Sequence, residues 1–189
     1  MPEPGPGVPV RWPLPARLAA VALAALLAYG VSLRNVFSWD DTHFILNNAF
    51  LWYSHDLPRL VGIDTGEHSA ILNRARPVWI LSAMLDVQVW GKDPFGHHLT
   101  SLVLHILNAW LVLGLARAAG ASHGAALAAA LLFAAHPLAA EPVCAASLGR
   151  PDLLCGLGMG LIANRANSPM TLKGSLAALW RPGLVATNV

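Results

Sequence analysis

The chain is poor in charge. Only 12% of its 189 residues are Asp, Glu, Lys or Arg, about half of what an average soluble domain carries. With 56% hydrophobic residues and a mean hydropathy of +0.54, the deficit points to lipid as the surrounding solvent. The net charge of +2 is too small to argue for a nucleic-acid partner. Two cysteines, Cys144 and Cys155, supply neither a disulfide framework nor a metal-type spacing, and read as free thiols. There is no HExxH, no P-loop, no GxGxxG after a strand and no GxSxG. Zinc-hydrolase, nucleotide-binding and serine-hydrolase readings of the soluble kind therefore lack support.

Long apolar runs are what the chain has instead. A membrane-crossing helix needs about 20 mostly apolar residues. Leu18 to Leu33, between Arg17 and Arg34, is the first such run. Its flanking arginines can snorkel, extending the span to about Ala16–Phe37. A cleaved signal peptide is the competing reading, with Ala28-Tyr29-Gly30 as the small-x-small site. The apolar run continues past Gly30, which favours a retained anchor. Leu99 to Ala116 is a second run and Ala125 to Ala140 a third. A fourth starts at Leu153 and stops after about 11 residues at Asn164, too short to span. The expected fold is all-α: a polytopic transmembrane helical bundle.

Arg11 and Arg17 precede the first run, so the positive-inside bias places the N-terminus in the cytoplasm. The loop from Phe37 to His97 is then extracytoplasmic. Within it, Arg76 to Trp90 reads as an amphipathic interfacial helix with Pro77 in its first turn, Val78, Leu81, Leu85 and Val89 at helical spacing, and Trp79 and Trp90 as interface aromatics. Counting spans in this way brings four places to one membrane face: Asp40-Asp41, the start of the second run, the end of the third and the start of the fourth.

Polar residues that look misplaced sit at or near those places. His98, Ser101, His105 and Asn108 fall on one helical face that descends about 15 Å from the surface. Such a stripe either lines a cavity or bonds neighbouring helices. His136-Pro137 closes the third run, and Glu141 follows in an apolar setting where a carboxylate needs a partner. Arg150 is the nearest cation, and Pro151-Asp152 opens the fourth helix.

Three stretches, "FSWDDTHFILNNAFL", "RPVWILSAMLDVQVWGKDPFGHHLTSLVLHILNAWLV" and "LAAALLFAAHPLAAEPVCAASLGRPDLLCGL", resemble in order and spacing the transmembrane-and-TPR (TMTC-type) O-mannosyltransferase-like proteins of the GT-C glycosyltransferase superfamily. The resemblance implies a multi-span enzyme, in a bacterial inner membrane or an ER-like one. It would transfer a mannose-like sugar from a polyprenyl-phosphate donor to a protein or glycan hydroxyl at the extracytoplasmic face. It implies that Asp40 and Asp41 are the catalytic acidic pair, one as general base and the other orienting the acceptor or a divalent metal ion. Arg76, His98, His105, His136, Glu141, Arg150 and Asp152 are the candidates for holding the donor phosphate or substrate. Arginine suits the phosphate because its planar fork donates two parallel hydrogen bonds.

The chain departs from that pattern at Ser101, where the family usually has asparagine, and at Pro151, where alanine is typical. The organisation expected is a cytoplasmic tail over 1–15, a partial GT-C-like module over 16–163, and a divergent tail over 164–189. That tail carries no further span and no 34-residue repeat, as truncation or a frameshift would leave it. Two other functions compete with the transferase: a non-catalytic membrane anchor or assembly protein, and a small proton-coupled transporter subunit using the histidine stripe.

Overall fold

The computed structural model describes residues 12–52 and 77–166. Among them all regular structure is helical. Helix α1 (Leu14–Tyr29) is rich in Ala and Leu, carries proline in its first turn, and tightens into a 3₁₀ segment, Gly30–Arg34. Together these 21 residues extend roughly 31 Å, the thickness of a bilayer's hydrocarbon core. Short helical turns follow at Trp39–Asp41, Thr42–Leu46 and Ala49–Trp52. Helix α2 (Pro77–Trp90) ends at Gly91, whose φ of +59° suits a residue without a Cβ.

Helix α3 (Pro94–Ala118) starts where the Asp93 side chain accepts the Phe95 N–H at 3.1 Å, a standard cap for the exposed amides of a first turn. Its 25 residues make it the longest helix described. Helix α4 (His123–Ala135) is capped in the same way by Ser122 on Ala125 N–H, at 3.2 Å. It stops at His136 because the residue before a proline is pushed out of the helical region, here to φ −70° and ψ 129°. A 3₁₀ turn, Pro137–Ala139, and helix α5 (Ala140–Cys144) continue at a 47° bend. Helix α6 (Arg150–Ala166) closes the described chain.

Among the described residues two helices, Leu14–Arg34 and Pro94–Ala118, are long and apolar enough to cross a membrane, or three if the bent pair is one span. The third run is thus broken at Pro137, as His136-Pro137 suggests, although its apolar residues continue to Ala140. The fourth is a 17-residue helix, longer than its apolar stretch.

Helix α3 lies at the centre and packs against α1, α4 and α6. Val21, Ala25 and Tyr29 of α1 meet Ala126, Ala130 and Ala134 of α4 in one buried cluster with Leu102, Ala109 and Leu113 of α3. The alanines recur every four residues, so α4 presents a smooth face that lets its neighbours approach closely. Helix α6 approaches α3 by a similar device. Gly156 and Gly160 face Asn108 and Leu111, and a Cβ on Gly160 would come within 2.9 Å of the Leu111 side chain. Leu27, Leu132 and Ile162 point outward and are largely exposed, as expected of a surface solvated by lipid rather than water.

A second, smaller core joins Trp79, Ile80, Ala83, Met84 and Val87 of α2 to Ile45, Leu51 and Ala146. The apolar stripe expected on this helix, Val78, Leu81, Leu85 and Val89, is the exposed one. Helix α2 is thus apolar on both faces, and the polar face an amphipathic helix requires is missing. Its one charged residue, Asp86, points into the protein.

Candidate active site at the polar end of the helices

Asp40 and Asp41 lie in the short turn after the first span, and their side chains have opposite fates. Asp41 is 1% exposed. Its Oδ2 accepts the Ser38 N–H at 3.0 Å and the Ser38 hydroxyl at 2.9 Å. Its Oδ1 accepts the Ser147 N–H at 2.8 Å and the Ser147 hydroxyl at 2.6 Å. An ionised carboxylate offers about four acceptor directions, so Asp41 has none to spare. Asp40, the adjacent residue, is exposed.

Ser147 belongs to the loop between α5 and α6, and its carbonyl accepts the Trp79 indole N–H at 2.9 Å. Two residues on, Gly149 packs so closely on α5 that a Cβ there would lie 2.3 Å from the Pro142 carbonyl oxygen. Arg150 follows, with 1% of its surface exposed. Its guanidinium pairs with Asp86 and donates to the His97 carbonyl at 2.8 Å and to Ser101 Oγ at 3.3 Å. Asp86 also accepts the Thr100 hydroxyl at 2.9 Å, and His97 Nδ1 stands 3.6 Å from its other oxygen. An arginine fork is suited to several acceptors at once, and burial makes each of these contacts matter more.

The pair expected between Glu141 and Arg150 is therefore replaced by Asp86 with Arg150. Glu141 is exposed. Asp86 left a signal in the sequence as the single charge in an apolar helix, which requires an opposite charge nearby. Ser147 left none, because small polar residues are common at helix ends, and Trp79, expected at the interface, is buried instead.

The stripe on α3 is buried along its whole length. His105 Nε2 lies 3.0 Å from the Ala134 carbonyl, which makes that nitrogen the protonated one, and the ring stacks on Phe133. Asn108 Nδ2 donates to the Leu153 carbonyl at 2.9 Å. These two residues join α3 to α4 and to α6 through hydrogen bonds. His98 is buried near the end of the first span.

His105, His136 and Asp152 border a cavity of about 490 Å³ whose walls are otherwise mostly apolar. Asp152 also borders a second groove, of about 530 Å³, beside Trp79. The described candidate residues thus form three groups, of which Asp40 and Glu141, both exposed, are one. Asp41, His98 and Arg150 are interior, whereas His105, His136 and Asp152 surround the cavity. Arg76 lies outside the described residues. A divalent ion on the Asp40–Asp41 pair does not fit this arrangement. The Asp41 oxygens are occupied, and among the described residues no group of three His, Cys, Asp or Glu side chains is placed to hold a metal.

Apolar helices of spanning length, an outward-facing apolar surface and polar groups gathered at one end define a helical membrane protein. No family model and no solved structure matches the chain. It is 34% identical over 146 residues to the protein O-mannosyl-transferase Tmtc1 of Drosophila melanogaster, covering 73% of this chain and 16% of that protein. To the mouse protein O-mannosyl-transferase TMTC1 it is 33% identical over 155 residues, 76% of this chain and 16% of the relative. To Drosophila Tmtc2 it is 37% identical over 138 residues, 68% and 14%. The chain is TMTC-like over about three quarters of its length, and it spans about a sixth of the length of these curated relatives.

Proposed function

We propose that the chain is part of a membrane glycosyltransferase of GT-C type. It transfers a mannose-like sugar from a polyprenyl-phosphate donor to a protein or glycan hydroxyl. The observation that carries this reading is the exposed Asp40 beside an Asp41 whose four hydrogen bonds fix the turn in place. In the reaction the acceptor oxygen bonds to the anomeric carbon, the bond from that carbon to the phosphate oxygen breaks, and polyprenyl phosphate leaves. The acceptor proton passes to Asp40. A base must meet a lipid-linked donor just beyond a helix end, and Asp40 follows the first span by a few residues. The active end faces away from the cytoplasm in this reading, because Arg11 and Arg17 precede the first span and the first span usually sets the orientation.

The test is sugar transfer from polyprenyl-phosphate-mannose to an acceptor peptide, in membranes containing the chain. Asp40→Asn lowers transfer by about 10²- to 10⁴-fold on this reading; transfer at the original rate would overturn it.

A second reading, a non-catalytic anchor or assembly protein, draws on the way His105, Asn108 and Arg150 are used to bond helices together. It expects no transfer from the unaltered chain.

A further inference from the structure

Among the described residues the Asp40 side chain makes no hydrogen bond or ion pair, and it is exposed, so the question is what places it. The geometry points to Ser147 as a positioning residue for Asp40, acting through Asp41, with Trp79 of α2 holding Ser147 in turn. This deepens the reading of Asp40 as the base and rests on it.

The connection can be followed atom by atom. Trp79 donates its indole N–H to the Ser147 carbonyl at 2.9 Å. Ser147 directs its N–H and its hydroxyl at the same oxygen of Asp41, at 2.8 and 2.6 Å. The other Asp41 oxygen holds Ser38, which closes the turn from the other side. Asp40 lies within this closed segment, one peptide from Asp41. Residues 106 apart in sequence are thereby joined across a buried contact. On the far side of the same loop, Asp86 of α2 holds Arg150. Helix α2 thus grips the Ser147–Arg150 loop at two points seven residues apart, and the loop grips the turn. Every member, Trp79, Asp86, Ser147, Arg150 and Asp41, is buried, so none is free to meet an acceptor. What they supply is the location of the exposed Asp40 carboxylate. Small displacements of a base lower the rate of proton transfer sharply while leaving distant binding contacts intact.

The test compares Ser147→Ala, Ser147→Thr and Trp79→Phe with Asp40→Asn, in membranes containing the full chain. Ser147→Ala removes the hydroxyl and is expected to lower kcat roughly tenfold, with KM for the polyprenyl-phosphate donor unchanged. Ser147→Thr restores the hydroxyl and most of the rate. Trp79→Phe keeps the ring, loses the N–H and lowers kcat by a smaller factor. It is also the variant that decides the matter if Ser147→Ala fails to fold. Asn164→Ala serves as control. It removes the bonds from that amide to the Leu111 and Gly160 carbonyls at 3.0 and 2.9 Å and leaves kcat unchanged.

An unchanged kcat in Ser147→Ala and Trp79→Phe, beside lost transfer in Asp40→Asn, overturns the positioning role and keeps the base. Full transfer by Asp40→Asn overturns both. A stability cycle on Ser147→Ala and Asp41→Asn, read by thermal melting, tests the contact without any turnover, and additive effects in that cycle count against it.

Discussion

The two ends of the helix bundle are built on different principles. One end gathers every acid among the described residues: Asp40, Asp41, Asp86, Asp93, Glu141 and Asp152. Three charged or titratable groups there, Asp86, Arg150 and His97, are buried against one another with defined partners. The other end has no described acid. It carries Arg17, Arg117, His123 and Arg165, with Arg17 at 2.7 Å from His123 Nδ1, and Arg117 is exposed. The first end depends on geometry, where each partner matters. The second depends on the sum of its positive charge, where no single residue does. Substitutions at the two ends should therefore differ in kind.

The largest effect is expected at Asp40. A positioned base contributes about 10²- to 10⁴-fold, so Asp40→Asn should reduce transfer by that factor without altering the melting temperature. Asp41→Asn should do the reverse in part. It places an amide donor against the Ser38 or Ser147 donors and lowers both stability and rate. If the two variants behaved alike, the division between an exposed base and a buried clamp would fail.

Next in size is the buried ion pair. Arg150→Met leaves the buried Asp86 carboxyl without its cation and should cost about 3–5 kcal/mol. The double variant with Asp86→Leu should recover most of that loss, because two apolar side chains replace a pair that carries its own desolvation cost. Arg150→Lys should not rescue, since one ammonium cannot reach Asp86, the His97 carbonyl and Ser101 together. Thermal unfolding in detergent measures all three. A double variant no more stable than Arg150→Met alone would mean that the pair fixes the fold itself.

These two cases also show what the sequence made legible. Helix α2 falls at Pro77–Trp90 as its proline and apolar spacing predicted, and the histidine stripe of α3 is buried as a unit. Both follow from periodicity, which is local. The convergence of Asp41 with Ser147 is not local, since neither residue alone differs from an ordinary turn residue. The Asp86–Arg150 pair was half visible: a charge inside an apolar helix demanded a partner, and Arg150 was available. Glu141 was nearer in sequence and drew the pairing to itself. The outward face of α2 was misjudged because its stripe is apolar, and so is the face behind it. Periodicity cannot rank two apolar faces when tertiary contacts choose between them.

A smaller effect is expected where the helices meet their connecting loops. Gly149→Ala places a Cβ against backbone of Pro142, which cannot step aside, and should cost about 1–3 kcal/mol. Gly160→Ala meets the Leu111 side chain at 2.9 Å from Cδ1 and 3.2 Å from Cβ rather than backbone at 2.3 Å, and should cost less. The order of the two melting temperatures is the measurement.

The smallest effect on stability belongs to the basic end, and there the effect should appear elsewhere. Arg117 is exposed, and an exposed surface residue contributes little to folding. Arg117→Gln should leave the melting curve unchanged. Its contribution is to the direction of insertion, which depends on the summed Lys and Arg count near span ends rather than on any contact. Orientation can be read from a cysteine at Ala119, between α3 and α4, in a chain with Cys144 and Cys155 replaced by serine. A membrane-impermeant maleimide applied from outside should not reach it. Replacing Arg117 alone should change this little, whereas replacing Arg17 and Arg117 together should expose a fraction of the molecules. Labelling of the unaltered orientation reporter from outside would reverse the proposed sidedness and place Asp40 in the cytoplasm. A single substitution as effective as the pair would show that the basic end, like the acidic one, acts through a specific contact.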